Sequence, residues 1–132
     1  MIWKLPTREI EFPRRPLVMG IINVNDDSFS GDGTLDYSEA LARAARQAEE
    51  GADVIDVGAE SARTNREAIA IEEEVSRFRG FLESWPAVVQ GLRPRDAEQV
   101  WPPVVSANTW RPEVVDSVLS MGVELINDMG AL

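Results

Sequence analysis

Four short polar side chains stand at or just past the ends of apolar runs: Asn23, Asp56, Asn108 and Asn127. An unpaired polar group in a buried strand costs about 1–3 kcal/mol, so residues of this kind are either satisfied locally or collected into a polar site. Any one of them can be a turn former, since Asn and Asp side chains hydrogen-bond their own backbone. Four at equivalent positions point instead to a shared pocket. Amides and carboxylates offer paired donors and acceptors, the groups needed to read a planar, nitrogen-rich ring. Two polar segments add anion chemistry. The stretch from Asn25 to about Asp36 carries Gly31 and Gly33, which make backbone N–H groups accessible, and the stretch from Ala59 to about Ile71 carries Arg63 and Arg66. Together they could hold a phosphate or diphosphate, with or without a divalent metal; a solvated surface loop is the plainer alternative. Gly31-Asp32-Gly33 is no dinucleotide fingerprint, because no third glycine follows and no helix opens there.

Residues so spaced must be positioned by alternating strands and helices. Leu17 to Val24 is almost wholly apolar, the pattern of a strand buried on both faces. A helix over Tyr37–Glu50 has Asp36 as N-cap, Glu39 three residues on as in a capping box, and Leu41, Ala44, Ala45 and Ala48 on one face. Gly51 suits its left-handed C-terminal cap. Asp53–Gly58 reads as the second strand. A second helix runs from Glu72 to about Trp85, with Ile71, Val75, Phe78 and Leu82 as its stripe, and Pro86 stops it. Residues 87–101 read as a surface insertion before a third strand, 104–107. Pro112 opens a third helix, with Val114, Val115, Val118 and Leu119 apolar and Gly122 at its end, and 124–128 is the fourth strand. Residues 1–16, broken by Pro6, form a short strand or hairpin extension at the entrance. The segment 51–56 matches 122–127 in pattern, so one unit is used twice. Repeated strand–helix units imply parallel strands with right-handed crossovers and ligands at the carboxyl ends of the strands. The reading is α/β, four βα units making the N-terminal half of a TIM (β/α)8 barrel, in a single domain over 1–132.

Composition removes other chemistries. The chain has 132 residues, no Cys and no His, which excludes thiol catalysis, zinc–thiolate sites and any Ser–His mechanism run by these residues alone. A formal charge of −10, from 23 acidic and 13 basic residues, repels phosphate backbones and argues against nucleic-acid binding. A small anion remains a possible ligand, since local Arg residues and helix N-termini outweigh a net field. No apolar run is long enough to span a bilayer and no h-region follows Met1, so a cytoplasmic location is expected.

Four ordered stretches carry a family resemblance. Val18-Met19-Gly20-Ile21-Ile22-Asn23-Val24 with Asp27-Ser28-Phe29-Ser30 resembles the first signature of dihydropteroate synthases, and residues 51–61, Gly51 to Ser61, the second. Val105-Ser106-Ala107-Asn108-Thr109 with Pro112-Glu113-Val114 resembles the third, and Ile126-Asn127-Asp128 the fourth. The resemblance implies a (β/α)8 barrel that joins 6-hydroxymethyl-7,8-dihydropterin diphosphate to 4-aminobenzoate in folate synthesis. It implies that Asn23 meets magnesium and the diphosphate, that Arg63 helps bind the diphosphate, that Asn108 and Asn127 lie against the pterin ring, that Ser61 and Asp56 belong to the substrate-binding set, and that Phe29 sits in a loop closing over 4-aminobenzoate. The chain departs from the family pattern where Asn25-Asp26 replaces Thr-Pro, where Ala62 replaces a hydroxyl residue, and where Asn108 replaces Asp. An amide at 108 can hydrogen-bond a pterin but cannot counter positive charge developing on the ring.

An eight-fold barrel needs about 250 residues, so the catalytic surface implied is incomplete in this chain alone. A homodimer, or association with a C-terminal half, is the expected remedy for open strand edges. Two further readings stand beside the synthase: a pterin-binding module without synthase activity, like the pterin domains of methyltetrahydrofolate methyltransferases, and a structural half barrel from a split or truncated gene.

Overall fold

In the computed structural model, which describes residues 1–25, 33–60 and 69–128, two sheets form. Strands β1 (Ile2–Lys4) and β2 (Glu9–Glu11) pair antiparallel. Strands β3 (Met19–Asn23), β4 (Val54–Gly58), β5 (Val104–Asn108) and β6 (Leu125–Asn127) make a wholly parallel sheet in sequence order. Helices α1 (Tyr37–Glu49), α2 (Ile71–Leu82), α3 (Trp85–Gln90) and α4 (Pro112–Ser120) lie in the connections. The order is that of a half TIM barrel, as the repeated units predict.

Register sets the two faces. Ile21, Asp56, Ser106 and Leu125 are aligned across β3, β4, β5 and β6, and two residues further on so are Asn23, Gly58, Asn108 and Asn127. Side chains alternate along a strand, so both rows share one face. The opposite face, with Ile22, Ile55, Val57, Val105 and Ala107, is the apolar one and packs on Ala40, Ala44 and Ala48 of α1, Phe78 and Phe81 of α2, and Val114 and Val118 of α4. The small alanine stripe of α1 lets that helix approach the sheet closely. At the strands' N-terminal end, Ile10 of β2 covers Val54 and Val104, with Trp3, Leu5 and Phe12 packed around it. The N-terminal hairpin therefore stoppers the end opposite the strand tips rather than standing at the ligand entrance.

Local signals in the sequence map onto this frame with some corrections. Asp36 caps α1 by accepting from the Glu39 N–H at 3.2 Å, but Glu39 does not reach back; its carboxylate takes Thr34 and Arg43 instead. Gly51 and Gly122 hold φ of 116° and 98°, the left-handed conformation that a side chain resists, and each ends a helix. The second helix ends at Leu82, before Pro86. Pro86 then sits in the first turn of α3, where its missing N–H costs nothing, so the proline starts a helix rather than stopping one. Trp85 is buried and stacks on Phe81 with ring centroids 5.7 Å apart.

Residues 87–101 are not a surface insertion throughout. Gln99 is buried, donating to the carbonyls of Ala48 and Ala52 at 2.8 Å each and accepting from the Arg95 N–H. It closes the last carbonyls of α1 and the turn into β4. Leu119, assigned to the apolar face of the last helix, is instead exposed. The largest difference concerns β3, which is not buried on both faces. Met19 and Ile21 are 46% and 58% exposed, because β3 is an edge strand paired only with β4 and its inner-facing side chains have no cover. Gln47 of α1 donates to the Ile21 carbonyl at 3.1 Å, satisfying one acceptor of that open edge.

Candidate functional site

The tips of the four parallel strands carry the candidate site. Asn23, Asn108 and Asn127 stand in a single aligned row at the carboxyl ends of β3, β5 and β6. Gly58 fills the row's fourth place on β4. A Cβ there would lie 3.4 Å from Asn23 Oδ1 and 3.7 Å from Asn108 Cβ, so the glycine keeps the space between the two amides open. Asp56, expected at the same level, lies one row deeper on the same face. Three of the four polar residues thus line a rim and the fourth lies in the floor beneath them. Phe29, Ser61 and Arg63, and with them Arg66, lie outside the described residues.

The floor is hydrogen-bonded throughout. Ser106 Oγ donates to Asp56 Oδ1 at 2.7 Å, and Asn127 Nδ2 donates to Asp56 Oδ2 at 3.3 Å. Burial raises the Asp56 carboxyl above its ordinary range, and the two hydrogen bonds pull it back only in part. A group whose folded pKa is raised favours the fold while protonated; that contribution is complete below the unfolded pKa and is lost as pH rises through the folded pKa. Asp56→Asn, which keeps the shape and removes the charge, is therefore expected to be more stable than wild type at neutral pH. The difference should shrink to nothing as pH falls below the ordinary carboxylate range. Parallel urea titrations across pH check this, and a constant gap at all pH values would contradict it.

The segment after β3 is tied back to its tip. Val24 N–H donates to the Gly58 carbonyl at 2.7 Å, Thr34 N–H donates to the Asn23 carbonyl at 3.0 Å, and Asn23 and Gly33 form a parallel bridge. A cavity of about 420 Å³ opens beside them, lined by Ile21, Ile22, Asn23, Thr34, Arg43 and Gln47. It flanks the open edge of β3 rather than the row of amides, and only Asn23 belongs to both. It is therefore a lateral space next to the candidate site, with Arg43 as its cation.

A second polar cluster stands behind the rim on the β4 and β5 side. Glu74 of α2 is buried and accepts from Thr109 Oγ1 and Arg111 Nε, both at 2.8 Å. Arg111 also donates to Glu60 Oε2 at 3.2 Å and to the Ile69 carbonyl, while Ile69 N–H donates to the same Glu60 oxygen at 3.1 Å. Glu60 follows β4 and Ile69 precedes α2, so one guanidinium fastens together both ends of the 61–68 segment. Sequence reasoning missed this cluster and also missed Ser106. A signal existed for Ser106: Ser106 and Asn108 are polar at i and i+2 of an otherwise apolar strand, the spacing that puts both on one face. Nothing local marks Glu74, whose place in an acidic first turn suits a solvated helix start equally well.

Among the described residues no group of three or more acidic side chains could hold a metal ion. Asn23 offers one neutral oxygen beside the space that Gly58 keeps open. That donor set suits an ion held chiefly by water and phosphate oxygens, as Mg²⁺ commonly is, and not a dedicated protein cage. No helix among the described residues is long and apolar enough to cross a membrane.

Known proteins share this fold. The dihydropteroate synthase of Neisseria meningitidis serogroup C is 35% identical, with 99% of this chain covered and 42% of that protein. The solved dihydropteroate synthase of Xanthomonas albilineans with 4-aminobenzoic acid aligns at a TM-score of 0.72 and 36% identity, covering 96% of this chain and 43% of that one. The Burkholderia cenocepacia enzyme complexed with 7,8-dihydropteroate aligns at 0.73 and 30% identity, covering 97% and 38%. The chain thus spans about two fifths of the length of these relatives. With the parallel sheet, the aligned rim of amides and a match to the pterin binding enzyme family over residues 19–132, the chain belongs to that family.

Proposed function

We propose that this chain supplies the N-terminal, pterin-binding half of a dihydropteroate synthase acting in the cytoplasm, with 6-hydroxymethyl-7,8-dihydropterin diphosphate and 4-aminobenzoate as substrates. The carrying observation is the aligned rim of Asn23, Asn108 and Asn127 above a floor of Asp56 and Ser106. Asn108 and Asn127 read the edge of the pterin through amide donors and acceptors. Asn23 turns toward the diphosphate, which Arg63 and Ser61 help to hold, and Phe29 belongs with the 4-aminobenzoate end. In the reaction a carbon–nitrogen bond forms between the aromatic amine and the pterin methylene, the bond from that carbon to the diphosphate oxygen breaks, and the amine loses a proton. Asn23 would hold Mg²⁺, and the ion would supply charge stabilisation for the departing diphosphate.

The remainder of the catalytic surface comes from a further set of βα units, in a C-terminal half or a second copy. Its attachment is supported by the open edge of β3 and the exposed Val18, Met19 and Ile21 beside it. Light scattering that showed a stable compact monomer, unchanged on adding such a half, would count against that assembly.

One observation favours a second reading, a pterin-binding module without synthase activity: Asn108 stands where the synthases carry Asp. Isothermal calorimetry separates the two. Magnesium-dependent binding of the pterin diphosphate supports the synthase, and equal binding of an undecorated pterin with or without magnesium supports the module. No binding of either by the assembled protein would overturn the pterin reading as a whole.

A further inference from the structure

We infer that Asp56 is a positioning residue that sets which way the Asn127 amide faces, and so decides whether position 127 offers a ligand an acceptor or a donor. Asp56 has both carboxylate oxygens engaged inside the protein, Oδ1 by Ser106 and Oδ2 by Asn127. An ionised carboxylate only accepts hydrogen bonds. Asn127 must therefore turn its NH₂ toward Asp56, which leaves its Oδ1 as the acceptor on offer at the rim. Ser106, fully buried on β5, holds the carboxylate from the other side and keeps it from rotating away. The influences on Asp56 are burial and these two neutral donors; its row neighbours Ile21 and Leu125 are apolar. No cation competes with Asn127 for the carboxylate among them. The rim amide thus has a fixed polarity, matched to a ring edge that presents N–H groups.

This inference rests on the pterin reading for its ligand but not for its geometry, and two measurements keep the two apart. The first needs no ligand. In wild type the Asn127 side-chain NH₂ resonances should shift with the titration of Asp56, and in Asp56→Asn that titration should vanish from them. Asn127 resonances indifferent to pH in wild type would overturn the inference whatever the chain binds. The second is calorimetry with a plain pterin on the assembled protein. Asp56→Asn can keep its bond from Ser106 and donate to Asn127 Oδ1, reversing that amide, so pterin affinity should fall by about tenfold to a hundredfold. The double variant Asp56→Asn with Asn127→Asp restores an acceptor at the rim and should return most of the lost affinity. A double variant as weak as Asp56→Asn would refute the orienting role. Absence of pterin binding by wild type would instead overturn the pterin reading and leave the resonance measurement to decide the geometry.

Discussion

Glu74→Ala should lower the unfolding free energy by about 3–5 kcal/mol, the cost of removing one partner of a buried ion pair. Glu74 has a side chain only 3% exposed, and its two oxygens are taken by Thr109 and Arg111. Deleting the carboxylate strands a guanidinium that is itself nearly buried, and leaves the Thr109 hydroxyl without its acceptor. Glu60 shares Arg111 and offsets part of the loss, since its oxygen lies 3.2 Å from the guanidinium. Glu74→Gln keeps an acceptor for one of the two donors and should lose less than half as much. In urea the Ala variant's midpoint should fall by about 1–5 M for a slope of about 1–3 kcal/mol/M. A shift under about 0.3 M would mean that the pair contributes no more than a surface salt bridge.

Asp53→Ala is the second large effect, expected at about 2–4 kcal/mol from two part-buried N–H donors left without the acceptor they share. Asp53 precedes β4 and is buried; its carboxylate accepts from the Val18 and Val100 N–H groups at 2.9 Å each, with Arg14 3.9 Å away. It thereby joins the segments entering β3 and β5 to the strand between them. Asp53→Asn can accept at only one oxygen and turns an N–H₂ toward the other donor, so it should fall between wild type and Ala. Thermal unfolding of the three proteins side by side checks the order. An Ala variant that melts with wild type would show that water replaces the carboxylate at no cost.

These two residues also show where reading the sequence stops. The four parallel strands, the capping of α1 by Asp36 and the left-handed glycines at 51 and 122 are local matters, set by hydrophobic period and backbone sterics, and they can be recognised from neighbouring residues alone. The row of Asn23, Asn108 and Asn127 was legible because strand ends recur at equivalent places in a repeated unit. Asp53, Glu74 and Gln99 were not, because each gains its partners from segments distant in the chain: Gln99 reaches Ala48 and Ala52, and Glu74 reaches Thr109 and Arg111. Polar residues of these types read as surface until their partners are known. Asp56 was assigned to the right face and the wrong depth, since Gly58 and not Asp56 aligns with the asparagines. The exposed inner side of β3 escaped notice for a different reason: an apolar run specifies what a strand would bury, not whether anything arrives to cover it.

The fastening of Glu60 to Ile69 has a consequence for how this region tolerates change. Because the chain leaves β4 and enters α2 through points already bonded to one another and to Arg111, the length of what lies between them is decoupled from the packing on either side. Closing a longer excursion costs only about 0.6 kcal/mol for each doubling of its length. Insertions or wholesale exchange of residues 61–68 should therefore pass with little harm to folding. As far as folding is concerned, the constraint falls on Glu60, Glu74 and Arg111, and on Ser61 and Arg63 only through the ligand they are proposed to hold.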